Sequence, residues 1–400
     1  MTISLVTVHP FDPWGSKIGG IENFIRSMLL HAPDDFQLTL IGMTESPDQR
    51  PVGQWSSLPL AEKPISFYPL AEDMSPHRRR WIPLSLRFSW LLRNVPLQFS
   101  DSVLLYHRIE PLAWARMPAK ANLLCVHGDP REMVGPASEV RWRFFRWGYR
   151  ITEAAAVRRA RRVFVVSRSG LRYFRQRYAE REEDFSFLPT GYRDDYFFLP
   201  SRQQRTDMRA EVLRKYGLDP SFRYLLFVGR WERQKNPLPA LDTLQCVSAF
   251  LPDVHLLLVG EGSLKREMER HISQIGVETR VHWLGPLPSP QLAEAMRAGI
   301  LLLATSEFEG MSITWLEAHA CGLPIVSTDV GEVREIIKDG ITGKIIPTND
   351  PHRLAQGVMD ILDHPDAYPP EACAEAVKDY RCQTVLRQFY EQLREMAQPS

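Results

Sequence analysis

Short apolar runs alternate with longer amphipathic stretches along nearly the whole chain. Several of the runs are continuous and rich in Val, Ile and Leu, which is typical of strands buried on both faces of a parallel sheet. Helical patterns separate the runs, so the chain order is β-α-β and an α/β fold with parallel sheets is predicted. The predicted strands are 3–8, 37–41, 103–106, 122–126, 163–166, 224–228, 255–259, 280–283, 300–304 and 324–327.

Residues 199–222 are polar and charged, and they precede a fresh strand that ends at Gly229. This composition shift predicts a first domain over 1–200 and a second over 201–370. Residues 371–400 follow the Pro369-Pro370 break and have the apolar spacing of one long helix. The periodicity leaves open whether that helix caps the second domain or crosses back to the first.

Composition narrows the class of protein. The chain has 400 residues, of which 44% are hydrophobic, so it is globular rather than disordered, and its length favours two or three domains. Residues 1–200 carry 27 basic and 21 acidic side chains, whereas residues 201–400 carry 22 and 27, so the halves differ in sign although the net charge is +1. This split predicts two modules with different partners and argues against a nucleic-acid binder, for which no known binding module is found.

The chain is predicted to be cytoplasmic. Five scattered cysteines in no metal-ligand spacing are typical of a reducing compartment. The apolar stretch 2–8 lacks a basic flank, so no signal peptide is expected, and no apolar run approaches the ~18–20 residues that span a bilayer.

Two basic and aromatic clusters favour peripheral attachment to the inner face of a membrane. Residues 141–181 hold 13 Arg against two acids, and Arg143, Arg146 and Arg150 share one side at helical pitch. A second cluster over 77–93 combines basic and aromatic side chains, namely Arg78, Arg79, Arg80, Trp81, Arg87, Trp90 and Arg93. Such surfaces suit anionic lipid headgroups, but a solvated basic helix with buried aromatics explains them equally well.

The most informative stretch for chemistry is 304–327, with the sequence ATSEFEGMSITWLEAHACGLPIVS. It predicts a strand, a glycine loop, a helix with Ser312 near its N-cap, and a stop at Gly322. Glu309 falls in the loop and Glu317 inside the helix, rotated about 80° away, so the two carboxylates would reach different parts of one extended ligand. The amides of Gly310, Met311 and Ser312 would suit a phosphate. Alternatively, Glu309 compensates the helix dipole and Glu317 is a solvated helix residue.

Further candidate residues follow other strands. Arg230 and Lys235, in FVGRWERQKNP, can flank a diphosphate at the carboxyl edge of a sheet, or can be two surface cations. Gly260 belongs to a weak G-x-G pattern, because the full dinucleotide fingerprint is missing. Gly19 and Gly20 permit close approach of a ligand or form a plain tight turn. His127 just past a strand is a structural or a catalytic histidine.

Taken in this order, the motifs resemble the retaining glycosyltransferases of family 4. The resemblance covers nearly the whole chain and is most specific in the second half. The motifs that carry it are GGIENF, VHGDP, VFVVSRSG, FLPTGYRDDYF, FVGRWERQKNP, LLLVGEGSL, HWLGPLP, EFEGMSITWLEAHACGLPIVSTDVGEVREII and DGITGKIIP. The resemblance implies the GT-B fold, in which two Rossmann-like parallel-sheet domains face each other across a cleft and the last helix crosses back to the first domain.

The resemblance also implies roles for the candidate residues. The second domain would hold a nucleotide-diphospho-sugar, a UDP- or GDP-sugar, and the first domain a glycan or lipid-linked acceptor, without a cofactor or metal. Arg230 and Lys235 would neutralise the diphosphate, Glu309 would contact sugar hydroxyls and Glu317 the ribose. The backbone at Gly260, Gly310, Met311 and Ser312 would support the sugar and the phosphate. Gly19 and Gly20 would approach the phosphates or the acceptor. His127 would contact a sugar hydroxyl.

Two departures from the family pattern limit this transfer of roles. Many members have Asn-Gly-Val-Asp where this chain has Thr190-Gly191-Tyr192-Arg193, and Phe-Gly where it has Met311-Ser312. The expected activity is a retaining transfer to a hydroxyl in bacterial cell-surface polysaccharide or glycolipid synthesis. The alternatives are a nucleotide-sugar epimerase on the same fold and a non-catalytic nucleotide-sugar-binding protein.

Overall fold

The computed structural model describes residues 2–16, 19–73, 83–128 and 145–397. The chain forms two compact units. The first contains the chain up to Thr190 together with the segment from Gln383 onward, and the second is Gly191–Cys382.

The first unit is built on a sheet of eight described strands in the order β3-β4-β2-β1-β5-β6-β7-β8. All neighbours are parallel except β3 and β4, which are antiparallel. The strands are β1 Ile3–Val8, β2 Phe36–Thr44, β3 Ser56–Leu60, β4 Lys63–Glu72, β5 Phe99–Tyr106, β6 Ala119–Val126, β7 Arg162–Val165 and β8 Phe185–Phe187. The helices between them are α1 Gly20–Leu30, α2 Leu84–Asn94, α3 Ile109–Trp114, α4 Arg146–Arg159 and α5 Arg168–Arg177.

The second unit is built on a six-stranded, fully parallel sheet in the order β11-β10-β9-β12-β13-β14. Its strands are β9 Arg223–Val228, β10 Val254–Val259, β11 Val281–Gly285, β12 Leu301–Ala304, β13 Ile325–Thr328 and β14 Gly343–Ile346. Its helices are α6 Arg202–Lys215, α7 Leu238–Ser248, α8 Lys265–Ile275, α9 Ser289–Ala298, α10 Ile313–Ala320, α11 Val333–Ile336, α12 Pro351–Asp363 and α13 Pro370–Ala376. Short 3₁₀ turns lie at Ala179–Asp184 in the first unit and at Glu278–Arg280, Pro365–Ala367 and Lys378–Tyr380 in the second.

Both faces of the second sheet are buried. Leu226 and Leu257 pack into the core on one face, whereas Leu225 and Leu256, each one residue earlier, pack into the core on the other. This is why the strands have continuous apolar sequences, since alternate side chains enter opposite apolar layers. Each strand expected from the sequence overlaps an observed strand, and the α/β architecture with parallel sheets is confirmed.

The units divide the chain at positions other than those predicted. The chain passes from the first unit to the second after Thr190 rather than after residue 200, because Tyr192 and Phe197 are buried in a core of the second unit. The chain returns to the first unit after Cys382 rather than after residue 370. Cys373 in α13 is fully buried, and Val377 belongs to the same core of the second unit as Tyr192 and Phe197.

The prediction of one long helix over residues 371–400 is wrong. The chain is extended at Arg381, where Tyr192 donates its amide to the Tyr380 carbonyl at 3.0 Å and accepts from the Cys382 amide at 2.9 Å. This parallel bridge interrupts the helix, and the last helix, α14, is Cys382–Ala397.

Helix α14 packs on the first unit. The Tyr390 hydroxyl donates to the Met28 carbonyl at 2.7 Å, Arg394 pairs with Asp35 at 2.7 Å, and Phe389 packs edge-on against Phe164. The return of the last helix to the first domain is therefore confirmed. Among the described residues, no helix combines the length and apolar character needed to cross a bilayer.

Candidate functional site

The second sheet reverses its strand order between β9 and β12. Strands β10 and β11 follow β9 outward on one side, and β13 and β14 follow β12 outward on the other. A reversal of this kind leaves a crevice at the carboxyl ends of the two central strands, which is where open α/β sheets bind ligands. The loop after β9 and the loop after β12 meet at this point.

Hydrogen bonds fix the two loops against each other. The Thr305 hydroxyl donates to the Asn236 carbonyl at 2.7 Å, and the Glu307 amide donates to the Gln234 carbonyl at 2.9 Å. The Gln234 side-chain amide adds a longer bond to the Phe308 carbonyl at 3.4 Å. The residues that follow β9 and those that precede α10 therefore form one built surface.

Lys235, Glu309 and Ser312 converge on this surface. The Lys235 ammonium donates to Oε1 of Glu309 at 2.5 Å and lies 3.3 Å from the Ser312 hydroxyl. The Ser306 hydroxyl donates to the same Oε1 at 2.8 Å. The side chains of Lys235 and Glu309 are only 17% and 7% exposed, so the ion pair is largely withdrawn from water. Both named donors act on one oxygen of the carboxylate.

The amino end of α10 lies beside this cluster. The helix begins at Ile313, and Ser312 is its N-cap in extended conformation, as the sequence predicted. The Ser312 side chain makes no capping hydrogen bond, and its hydroxyl lies near Lys235 instead. A Cβ built at Gly310 would meet no atom within 4 Å, so there is free space beside the backbone at this position. Free amides at the positive end of a helix dipole attract anions.

Glu317 lies inside α10 and is buried, so the solvated alternative for this residue is wrong. Burial raises the pKa of its carboxyl to about 8, and the nearby Lys235 charge only partly offsets this effect. The group is therefore mainly protonated at neutral pH and can donate as well as accept a hydrogen bond.

Glycines let the loops approach one another. Gly260 has φ +135°, and a Cβ there would lie 2.0 Å from the Gly229 carbonyl oxygen. The aliphatic part of the Lys235 side chain packs against Gly229, where a Cβ would lie only 3.3 Å from it. The structure thus gives Gly260 a packing role behind Lys235.

Arg230 belongs to the same loop but is exposed, and its guanidinium donates to the Gln234 side chain at 3.3 Å. The structure therefore brings Lys235, Glu309 and Ser312 into direct contact and leaves Arg230 at the rim. Ser306 and Gln234 were missed by the sequence reasoning. Ser306 precedes Glu309 by three residues, which is the spacing of a local side-chain hydrogen bond and was a readable signal.

The remaining candidates lie in the first unit. Gly19 is the N-cap of α1, and a Cβ at Gly20 would meet nothing within 4 Å. His127 follows β6 and faces His107, with Nε2 of His127 and Nδ1 of His107 2.8 Å apart. Burial lowers the pKa of His127 to about 3 and also lowers that of His107, so both rings are neutral at physiological pH. The roles assigned to Gly19, Gly20 and His127 stay predictions.

Comparison with known proteins finds a family match within the second unit. Residues 208–379 match the family model described as Glycosyl transferases group 1. This part of the chain is therefore similar to group 1 glycosyltransferases, and it contains the whole Lys235–Glu309–Ser312 cluster.

One relative in sequence is the D-inositol 3-phosphate glycosyltransferase of Mycolicibacterium gilvum. It is 30% identical over 177 residues, which cover 43% of this chain and 38% of the relative. The chain therefore matches well under half the length of this curated relative.

Solved structures extend the likeness to both units. Sucrose-phosphate synthase from Thermosynechococcus elongatus aligns with a TM-score of 0.76 at 18% identity, covering 98% of this chain and 99% of that one. Anabaena HepE in complex with UDP-glucose aligns with a TM-score of 0.71 at 17% identity, covering 98% and 100%. At these identities the likeness concerns the fold, and the predicted GT-B fold is confirmed.

Proposed function

We propose that the protein is a retaining glycosyltransferase that uses a nucleotide-diphospho-sugar and transfers the sugar to a hydroxyl of a glycan or lipid-linked acceptor. The observation that carries the proposal is the buried Lys235–Glu309 pair beside the amino end of α10, with free space beside the backbone at Gly310. Among the relatives, HepE was solved with UDP-glucose, which makes a UDP-sugar the first donor to test.

Each part of the cluster fits one part of such a donor. The Lys235 ammonium and the amides at Gly310, Met311 and Ser312 supply positive charge for the diphosphate, and Arg230 at the rim adds a guanidinium. The second carboxylate oxygen of Glu309, Oε2, would accept hydrogen bonds from sugar hydroxyls, since Lys235 and Ser306 both donate to Oε1. Protonated Glu317, deeper in α10, offers a hydrogen bond to a ribose hydroxyl.

These positive charges would stabilise the transition state in which the bond between the sugar and the diphosphate breaks. The bond between the anomeric carbon and the phosphate oxygen cleaves, and negative charge builds on the leaving diphosphate. Fixed cations and helix amides stabilise charge where it develops, which is the largest contribution in many such reactions. The acceptor oxygen bonds to the anomeric carbon on the face that the phosphate leaves, and its proton passes to the departing phosphate, so the configuration is retained.

The first test is donor binding followed by transfer. Thermal shift with UDP-, GDP- and ADP-sugars should single out one donor, because a ligand that binds the folded state raises its melting temperature. Lys235→Ala and Glu309→Gln should each lower kcat/KM by about 10²–10³-fold, the range found when one stabilising donor is removed.

Arg233→Ala provides the matched control, since Arg233 is an exposed cation in the same loop and, among the described residues, forms no ion pair with Glu309. It should leave transfer unchanged. Near-normal turnover in both Lys235→Ala and Glu309→Gln would refute the proposed roles. Sugar isomerisation without acceptor would indicate an epimerase, and donor binding without turnover would indicate a binding protein.

The acceptor proposal includes a membrane surface on the cytoplasmic side. Phe145, Trp147 and Ile151 at the start of α4 are each more than half exposed, and Arg146 and Arg150 are exposed beside them. Trp90 on α2 is likewise 63% exposed. Arg78, Arg79, Arg80, Trp81 and residues 141–144 of the predicted clusters lie outside the described residues.

Exposed aromatic side chains among arginines suit the interface of an anionic bilayer, where each cation contributes ~1 kcal/mol. Trp147→Ser combined with Arg146→Gln should reduce co-sedimentation with vesicles that contain phosphatidylglycerol. Neutral vesicles are the control. Membrane binding through this surface would be refuted if the unmodified protein and the double variant pelleted equally, or if the unmodified protein did not pellet.

A further inference from the structure

Three soft donor groups converge in the first unit. His107, Cys125 and His127 each offer one ligand atom, and these atoms all lie within 4.8 Å of one another. The convergence follows from the sheet, because β5 and β6 are parallel neighbours whose register pairs Tyr106 with Leu124. Cys125 and His127 are two residues apart, so they start from the same face of an extended chain.

The polar atoms of this cluster lack full hydrogen bonding. His107 and His127 can share only one proton across their 2.8 Å contact, and the other ring nitrogen of His107, Nε2, is buried with no partner among the described residues. The Cys125 side chain is also completely buried. Burying a polar atom without a partner costs free energy, so the hydrogen bonding of the histidine pair is incomplete when no ligand is bound.

The geometry is close to that of a tetrahedral metal site. Zinc–nitrogen bonds of about 2.0–2.1 Å at a tetrahedral angle place two nitrogens about 3.3 Å apart and two imidazole centroids about 5 Å apart. The ring centroids of His107 and His127 are 5.1 Å apart, and their facing nitrogens are 2.8 Å apart. Binding of an ion would therefore require the two nitrogens to separate by about half an ångström and to turn from each other toward the ion.

The cluster also has space beside it. His107, Cys125 and His127 line a cavity of about 230 Å³, together with Arg108, Glu110 and Tyr149. A site with three protein ligands and an open fourth position needs room for a water molecule or another small ligand, and this cavity supplies it.

We propose that His107, Cys125 and His127 bind one thiophilic divalent cation, with Zn²⁺ as the best fit. One thiolate and two imidazoles form a donor set that suits zinc rather than magnesium or calcium, which prefer oxygen ligands. The cation displaces the thiol proton, which is released to solvent, and the proton shared by the two imidazoles moves to the other nitrogen of its own ring, so that both histidines bind as neutral imidazoles. The site lies in the first unit and does not depend on the proposed transferase activity.

Cobalt provides the spectroscopic test. The full-length protein, freed of metal by a chelator, is titrated with Co²⁺ and then with Zn²⁺. We expect one equivalent of Co²⁺ to produce tetrahedral d–d bands together with a thiolate-to-cobalt charge-transfer band, and Zn²⁺ to abolish both. Absence of the charge-transfer band in the unmodified protein would overturn the proposal without reference to any variant.

Two cysteine variants locate the thiolate. Cys125→Ala should lose the charge-transfer band, whereas Cys246→Ser should keep it. Cys246 is the matched control because it lies 3.6 Å from the His352 ring and so offers a second cysteine–histidine pair. A band that survives in Cys125→Ala and vanishes in Cys246→Ser would place the metal there and refute the assignment.

His107→Ala supplies an independent check should Cys125→Ala fold poorly, as judged by circular dichroism and thermal melting. It should weaken Co²⁺ binding at least tenfold, and unchanged affinity would exclude His107 as a ligand. Because a metal and a sugar hydroxyl would compete for the His127 ring, the titrations are done without nucleotide sugar. Transfer is assayed separately on the metal-free protein. A protein that binds cobalt in the titration but transfers no sugar in that assay would refute the proposed function and leave the metal site intact.

Discussion

Glu317 is a carboxylic acid whose charge is suppressed by its surroundings. Its folded pKa of about 8 lies above the ordinary 4.5, so the folded protein keeps a proton that the unfolded chain loses over this range. The state that binds more protons is favoured at low pH, so the contribution of Glu317 to stability falls as the pH rises from 4.5 to about 8.

Glu317→Gln, which keeps the shape and removes the ionisation, isolates this effect. The free energy of unfolding of the unmodified protein minus that of Glu317→Gln should fall between about pH 5 and pH 8.5 by about 4 kcal/mol. Urea unfolding at several pH values measures this difference. A difference that is flat or rises with pH would contradict the buried, protonated state.

Ser306 is a positioning residue in the proposed donor site. Its hydroxyl is buried and donates to Oε1 of Glu309, which helps to keep the carboxylate turned so that Oε2 is available to a ligand. Ser306→Ala should raise KM for the donor and lower kcat/KM by about tenfold, as expected for loss of one hydrogen bond to a charged group. Ser306→Thr restores the hydroxyl and should recover part of the loss. Equal kinetics for the Ala and Thr variants would show that the hydroxyl does not position Glu309.

At the scale of elements, the site depends on backbones that come unusually close together. Gly260 must stay a glycine, because its φ is +135° and a Cβ would overlap the Gly229 carbonyl behind Lys235. Gly276 also has positive φ, at the end of α8, but a Cβ there would meet open space. Alanine substitutions at Gly260 and Gly276 therefore separate the cost of backbone strain from the cost of steric overlap.

Gly276→Ala should cost about 1 kcal/mol of stability, which is the conformational penalty alone. Gly260→Ala should cost about 3 kcal/mol or more, because strain and overlap add, and should also weaken donor binding by displacing the loop of Lys235. Chemical denaturation and thermal shift with the donor measure the two effects. Similar values for both variants would show that the loops can relax.

The sequence predicted elements well where burial imposes a simple pattern. Strands β9 to β13 of the second sheet have apolar runs that stand out, whereas β14 was missed, and the loop and helix of the Glu309 motif carry their own start and stop residues. Strands β3 and β4 were missed because Pro59, Pro64 and Pro69 interrupt their pattern, although proline is tolerated at sheet edges and irregular positions. The break at Arg381 was also missed, since it results from pairing with Tyr192, about 190 residues earlier in the chain.

Residue contacts within the site were predictable only in part. The spacing identified Glu309, Lys235 and Ser312 as candidates, but not that Lys235 and Glu309 pair directly or that Arg230 stays at the rim. Those outcomes depend on how the loops after β9 and β12 dock, which is set by side-chain-to-carbonyl bonds such as Thr305 to Asn236. His107 was overlooked because its significance comes from the neighbouring strand.

At the scale of the whole molecule, α14 completes the core of the first unit. Phe389 is fully buried against Phe164, whereas the adjacent Gln388 is exposed on the same helix. Phe389→Ala should lower the free energy of unfolding of the first unit by about 3–5 kcal/mol, as for other large-to-small changes in cores. Gln388→Ala should change it by less than about 0.5 kcal/mol. Hydrogen exchange resolved by unit would detect the difference, and equal protection of both variants would contradict the packing role of α14.

The bridge between Tyr192 and Arg381 brings together the two points at which the chain enters and leaves the second unit. A Cβ at Gly191 would lie only 2.8 Å from the Cα of Cys382. The second unit is thus a contiguous insertion with adjoining ends, and the sequence of the first unit is split around it. Joining residue 190 to residue 383 through a short glycine linker would close the gap left by its excision, and residues 191–382 could be produced as a separate polypeptide. The architecture therefore lends itself to exchange of the second unit between proteins without lengthening the connections.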